Sequence, residues 1–432
     1  MSKVSNALEN GRLLRRLAAS CPGYRLVEPL GWREWQLKAV SDAFPGKING
    51  IDVVTIVSPQ KQLDVLTLSA SDRVIIFDVG YIRLLRVLDV VLMKNNVATQ
   101  RLVTFALAVM AWALLLAGES ERACVLAAHT FHSRHIRWLL DLPRQAVHSK
   151  INAPMEIFLL LHEAAHAIVD SASEDAVNAR QYAAQSVSNI LSWYKDRVQM
   201  LDSDAKESLA FYSNTIERPK STEDYESICR QLTYQREVIA NSPEIPREAA
   251  CDYVAIIGIL QRRFGRNIMQ QQSRALSAEE LRSLEGILAL SARTVTAMTA
   301  IALVKAAARE VRDNGPPGEP QSFAIEQLTR QNIVVGTCSL FCELAAKENT
   351  LRFSAETVRQ EVIRHHQSYS RRLGARFVDE ISKLKQTLSS PDQYQTLHSE
   401  AWPAVLAFAA EEGIDPEDTA GIAASMLDAL PI

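Results

Sequence analysis

The fold turns on the stretch Pro154-Met-Glu-Ile-Phe-Leu-Leu-Leu-His-Glu-Ala-Ala-His-Ala-Ile-Val-Asp170. Its apolar density and the proline at its start predict a helix, with His162 and His166 at i and i+4 and therefore on one face. Two imidazoles placed this way can share one Zn²⁺. Glu163 lies beside them, where a carboxylate can accept a proton from metal-bound water. From the frequencies of His and Glu in the chain, about 0.01 accidental matches to this pattern are expected. A polar trio on an apolar helix is costly unless something satisfies it. Zinc is therefore favoured over a hydrogen-bonded core trio.

A catalytic zinc needs a third protein ligand and a fourth, open position. The metzincin spacing fails, because Val169 and Ala172 stand where Gly and His are required. A better source lies downstream in Pro243-Glu-Ile-Pro-Arg-Glu-Ala-Ala-Cys-Asp-Tyr-Val-Ala-Ile-Ile-Gly-Ile-Leu260. Pro246 can begin a helix there, placing Glu248 and Asp252 one turn apart. Glu248 then supplies the third ligand, with Asp170 and Glu174 as competitors. Asp252 accepts the free N–H of a ligand histidine and fixes its tautomer. A solvated Glu/Asp pair is the plainer alternative. His129, His132 and His135 drift around a helix and do not converge on one ion.

Upstream, Ile51–Ser58, Leu63–Ser69 and Val74–Asp78 are rich in β-branched residues and separated by turn formers. The gaps are too short for helical crossovers, so a small antiparallel sheet is expected. From about Gly80 the periodicity is helical, with breaks expected at Gly118, Pro143, Pro154, Pro219, Pro246 and the linker Asp313–Gly318. The expected class is mainly α with a small sheet near the N-terminus. Four parts follow: an N-terminal helical segment (1–50), a catalytic core (51–312), a helical part completing the site (324–385) and an acidic helical tail (386–432).

The 432 residues, 47% of them hydrophobic and 22% charged, are enough for a buried core and exclude a disordered or collagen-like chain. A net charge of -3 argues against a generally basic nucleic-acid binder, and no nucleic-acid partner is expected. That charge is an average. After Lys385 no Lys or Arg occurs, and eight carboxylates leave the tail at -8 and the preceding chain at about +5. The tail is either a solvated face or a docking or autoinhibitory segment for a basic surface, a regulatory contact. Six scattered cysteines and an N-terminus without an apolar core point to free thiols and a cytoplasmic location. The uncharged run Leu102–Ala117 has 16 residues, short of the ~20 that cross a bilayer, so a membrane role is not expected.

HExxH at His162–His166 followed by E-x-x-x-D at Glu248–Asp252 resembles the gluzincin metallopeptidases. Within them, CAAX-prenyl-type proteases carry E-x-x-A-D here, with Cys251 in place of the alanine, and a later His followed six residues on by Arg. His365 and Arg371 match that spacing, with His366 where a proline is usual. The Glu156–Leu159 lead-in, the Arg247-Glu248-x-x-x-Asp252 segment and His365-x-x-x-Tyr369-x-Arg371 are also similar to phage-exclusion proteases of the Lit type. The three motifs span about residues 154–372. This resemblance implies a zincin-like fold and an intracellular zinc endopeptidase acting on a protein or peptide substrate, in phage defence or stress. His365 is then the oxyanion donor and Arg371 helps hold the site. Read without the family, His365 and His366 beside two arginines look like a basic helix end. Two other functional readings stay open: a membrane-associated protease anchored by Leu102–Ala117, and a non-catalytic zinc-stabilised sensor or scaffold.

Overall fold

A computed structural model describes residues 12–20, 23–27, 32–45, 51–59, 61, 63–67, 73–93, 99–147, 153–202, 222–264, 278–313, 322–347 and 373–430. The first part carries α1 (Arg12–Ser20), β1 (Arg25–Leu26), α2 (Trp32–Ala43), β2 (Ile51–Val57), β3 (Asp64–Thr67) and β4 (Arg73–Asp78). The helices that follow are α3 (Val79–Met93), α4 (Thr99–Ala117), α5 (Ser120–His132), α6 (Ile136–Val147), α7 (Ala153–Val169) and α8 (Glu174–Asp202). Then come α9 (Thr222–Asn241), α10 (Glu244–Phe264), α11 (Ala278–Arg312), α12 (Ser322–Lys347), α13 (Asp379–Ser389), α14 (Pro391–Glu412) and α15 (Thr419–Asp428). The protein is mainly helical, with one small sheet near the N-terminus.

The sheet is mixed, where an antiparallel one was expected. Its order is β1-β2-β4-β3, with β2 and β4 parallel from Ile51↔Arg73 to Ile56↔Asp78 and both outer pairings antiparallel. The gaps are indeed too short for a helical crossover. Instead β3 serves as the crossover: the chain skips one place after β2, runs back along the edge, and returns as β4 between them. The all-apolar Val-Ile-Ile-Phe run of β4 thereby gains a central position with both faces buried. At its end, the buried Asp78 carboxylate accepts hydrogen bonds from Gly80 N, Tyr81 N and the Ser58 hydroxyl. It caps α3 and ties that helix to the end of β2.

One continuous buried cluster runs from Ala39 to Leu430. α7 crosses it with Phe158, Leu159, Leu160, Leu161, Ala164 and Ala165 all fully buried, and packs against α10, α8, α2 and β4. Ion pairs between interior helices peg α3 in place: Arg86 to Glu156 of α7, and Asp89 to Arg293 of α11 at 3.5 Å. The close packing of α10 depends on Gly258, where a Cβ would stand 2.8 Å from the Phe44 ring and 3.2 Å from Leu161. α4 ends where expected, at Gly118, whose φ of 87° suits glycine. Pro143 is no break; it lies inside α6. Pro154 is the second residue of α7, and α10 begins two residues before Pro246. Pro219 and the linker from Asn314 to Gly318 lie outside the described residues.

α4 and the span Arg282–Arg312 within α11 are long and apolar enough to cross a membrane, yet 61% and 67% of their most apolar windows are buried inside the protein. The acidic tail is folded: α14 packs on α5, and α15 buries Ile422, Ala423, Met426 and Leu427 against α4 and α5, with Asp418 capping Gly421 N. Among the described cysteines, Cys124, Cys251 and Cys338 are buried and Cys229 is half-buried, and none of the four forms a disulfide.

Gly258→Val should destabilise the protein by about 1–3 kcal/mol through overpacking, read as a lower urea midpoint at unchanged slope. A second expectation concerns Lys305 of α11. Its Nζ lies 5.2 Å from the Trp112 ring centre, with Lys61 5.5 Å from the same ring. Burial, with Arg309 and Lys61 nearby and Asp78 opposing, lowers its pKa from 10.5 to about 8. Between those values the unfolded chain binds more protons, so this residue makes stability rise with pH across that window. Lys305→Met should therefore raise the urea midpoint at about pH 7 and bring little gain at about pH 10.

Candidate metal centre

His162 and His166 leave α7 one turn apart, and Glu248 and Asp252 leave α10 one turn apart, because each helix presents i and i+4 on one face. The packing of α7 on α10 brings the two pairs together. His162 Nε2 lies 3.2 Å from Glu248 Oε2, and His166 Nε2 lies 3.7 Å from Glu248 Oε1. Ligand atoms tetrahedrally arranged around an ion at ~2.0–2.1 Å would be about 3.3 Å apart, close to these separations. His162, His166 and Glu248 form a group that could hold a metal ion, their ligand atoms all within 4.8 Å of one another. Glu163 has its Oε2 4.0 Å from His166 Nε2.

Each imidazole is held from behind. His162 donates from Nδ1 to Asp252 Oδ1 at 2.8 Å, which turns Nε2 toward Glu248. His166 has its Nδ1 3.3 Å from the Cys251 thiol. Asp252 is in turn gripped by Arg330 of α12, with Nε to Oδ2 at 2.7 Å and Nη2 to Oδ1 at 2.8 Å. A third nitrogen, Arg330 Nη1, reaches Glu248 Oε2 at 3.2 Å. Both Asp252 and Arg330 are buried.

Protonation follows from these contacts. Burial opposes charge on Asp252 and Glu248, but Arg330 and His162 outweigh it, lowering the Asp252 carboxyl and, with His166, holding that of Glu248 well below the usual range. Burial and Arg330 push His162 down; the Asp252 charge and hydrogen bonds to Asp252 and Glu248 prevail and raise it to about 10. His166, with burial and the neighbouring His162 against it, falls to about 4. With neutral imidazoles, Glu163, Glu248 and Asp252 against Arg330 leave a local charge of about -2, which a divalent cation would balance.

The site forms one wall of a cavity of about 380 Å³. Leu63 and Val65 beside and on β3, Met298 of α11, and Arg73, Asp170 and Arg247 complete the lining. Asp170 is engaged by the two arginines, and Glu174 is an exposed residue at the start of α8. Neither joins the histidine pair. His365 and Arg371 lie outside the described residues. His129, His132 and His135 do not converge: they bond to Leu397 O, Ala128 O and Gln100 respectively. No described residue of the 386–432 tail lines the cavity.

Arg330 was not singled out from the sequence. The available signal is its position: with Val334, Cys338 and Phe341 it shares the apolar face of α12, where a charge must have a partner.

Comparison of the chain with protein-family models, with curated proteins and with solved structures finds no match.

Arg330→Met should cost about 3–5 kcal/mol in EDTA-treated protein, because it strands the buried Asp252 charge. Denaturant unfolding of both proteins under the same chelating conditions measures it.

Proposed function

We propose that the protein is a zinc-dependent endopeptidase with a zincin-like core, hydrolysing a peptide bond in an intracellular protein target. The observation that carries this reading is the convergence of His162, His166 and Glu248 with Glu163 on the wall of one cavity. The nitrogen and carboxylate donors suit Zn²⁺, and the separations fit it. Free buried thiols support the intracellular setting.

When bound, zinc would supply Lewis acidity and a water with a pKa near ~7. His162, His166 and Glu248 would hold it. The chain's own residues do the rest. Glu163 accepts the proton of the attacking water at a carboxylate oxygen and returns it to the leaving amine nitrogen. Asp252 fixes the tautomer of His162, and Arg330 keeps Asp252 and Glu248 ionised. The edge strand β3 can align an extended substrate by backbone pairing, with Leu63 and Val65 against its side chains. His365 as oxyanion donor and Arg371 as its support enter from the sequence resemblance.

A purely structural metal site has no use for a carboxylate in the position of Glu163, and such sites are usually closed by four protein ligands. That favours the enzyme over the scaffold.

Glu163→Gln should keep the parent's zinc content while lowering cleavage by about 10²–10⁴-fold. New protein N-termini in cells expressing the parent, absent with Glu163→Gln, would identify the target; parent-like cleavage by the variant would sink the reading. Glu248→Gln should lower the metal content measured after dialysis. Retention of the full complement would remove Glu248 from the ligand set.

A further inference from the structure

At the end of the cavity next to the metal centre, two arginines from separate elements converge on one carboxylate. Arg73 of β4 donates from Nη1 to Asp170 Oδ2 at 3.3 Å, and Arg247 of α10 donates from Nε to Oδ1 and from Nη2 to Oδ2, both at 3.4 Å. All three residues line the cavity together with His162, His166 and Glu163. Charge-assisted N–H···O bonds normally measure ~2.7–2.9 Å, so these are loose. Each guanidinium carries five N–H donors, and one carboxylate can accept only a fraction of them. Both side chains keep access to solvent, 22% for Arg73 and 44% for Arg247.

The charge of this corner differs from that of its neighbour. On the cavity wall Arg73 and Arg247 against Asp170 leave about +1, with Glu244, exposed and outside the lining, 3.8 Å from Arg247 Nη1; the ligand side gathers Glu163, Glu248 and Asp252 around Arg330. An incoming carboxylate is repelled by that cluster of carboxylates and attracted to the arginines. There it can form the planar, two-bond pair that the guanidinium geometry favours.

We infer that Arg73 and Arg247, spaced by Asp170, form a subsite for a substrate carboxylate close to the cleaved bond. This rests on the peptidase reading above and narrows its substrate class to peptides carrying an acidic side chain or a free chain terminus at that point. Asp170 is a positioning residue: it keeps the two like charges together before substrate arrives.

The zinc-loaded full chain is tested on a peptide pool from a proteome digest, with cleavage products read by mass spectrometry. The expected result is Asp or Glu enriched at one fixed position near the cut, or cleavage at a fixed distance from the C-terminus. Converting C-terminal carboxyls to amides removes the second pattern and spares the first, which separates the two sources. In matched Glu and Gln peptides, Arg73→Gln/Arg247→Gln should lower the Glu-over-Gln ratio of kcat/KM by about tenfold, as expected for losing charge-assisted contacts. If the double variant unfolds, Arg247→Gln alone must lower the same ratio. No carboxylate preference in the parent, or an undiminished one in the variants, overturns the subsite. If the parent cleaves nothing, the peptidase reading fails separately. The subsite is then decided by titrating Ac-Ala-Glu-Ala-NH₂, Ac-Ala-Gln-Ala-NH₂ and Ac-Ala-Gln-Ala-OH into Glu163→Gln protein by NMR. Tighter binding of either carboxylate-bearing peptide that disappears with both arginines sustains it; equal binding of all three peptides overturns it.

Discussion

The buried pairing of Arg330 with Asp252 is the interaction on which the site depends. Both groups are withdrawn from water, and a charge so placed is tolerable only when it is paired and hydrogen-bonded. The bidentate grip, at 2.7 and 2.8 Å, leaves little positional freedom. Because Asp252 also receives the Nδ1–H of His162, the chain Arg330–Asp252–His162 runs from α12 through α10 to α7. Sliding any of these helices by one turn would strand a charge in the interior. Their mutual register is therefore set by polar satisfaction as well as by apolar packing.

The same chain explains why three carboxylates can be gathered where burial alone would keep them neutral. Arg330 contacts two of them, and its charge cannot be titrated away at any ordinary pH. One cation against three anions leaves a deficit that His162 meets by holding a proton. A divalent ion would meet it more completely. The arrangement makes protons and metal competitors for one place, which is the usual coupling between ligand ionisation and metal affinity.

The helical half of the site was legible because its signals are local. An N-terminal proline, an apolar run and an i, i+4 spacing all act within one helix, so His162, Glu163 and His166 on α7, and Glu248 and Asp252 on α10, could be read from short segments. The tail likewise reads as helices, and its burial on α5 shows that an acidic stretch can still carry an apolar stripe. What was not legible is set by distance in the chain. Loop lengths correctly excluded a helical crossover between β2 and β4, yet gave no hint that β3 would step to the far edge and make them parallel. Arg330 has its partner 78 residues away, and nothing in its own segment points to Asp252. Pro143 marked a break, yet α6 runs through it.

The two histidines differ in what stands behind them, and the difference has a chemical consequence. Asp252 is an ionised carboxylate at 2.8 Å from His162, whereas Cys251 offers His166 only a thiol at 3.3 Å. A thiol is a weak hydrogen-bond partner and adds no charge. His162 is accordingly driven toward its protonated form, at about 10, and His166 toward the neutral one, at about 4. For metal binding, His166 would already be neutral and His162 would have to give up a proton. Without that proton, Asp252 would favour electron density on the Nε2 that faces Glu248, so the harder of the two positions to load would be the stronger ligand.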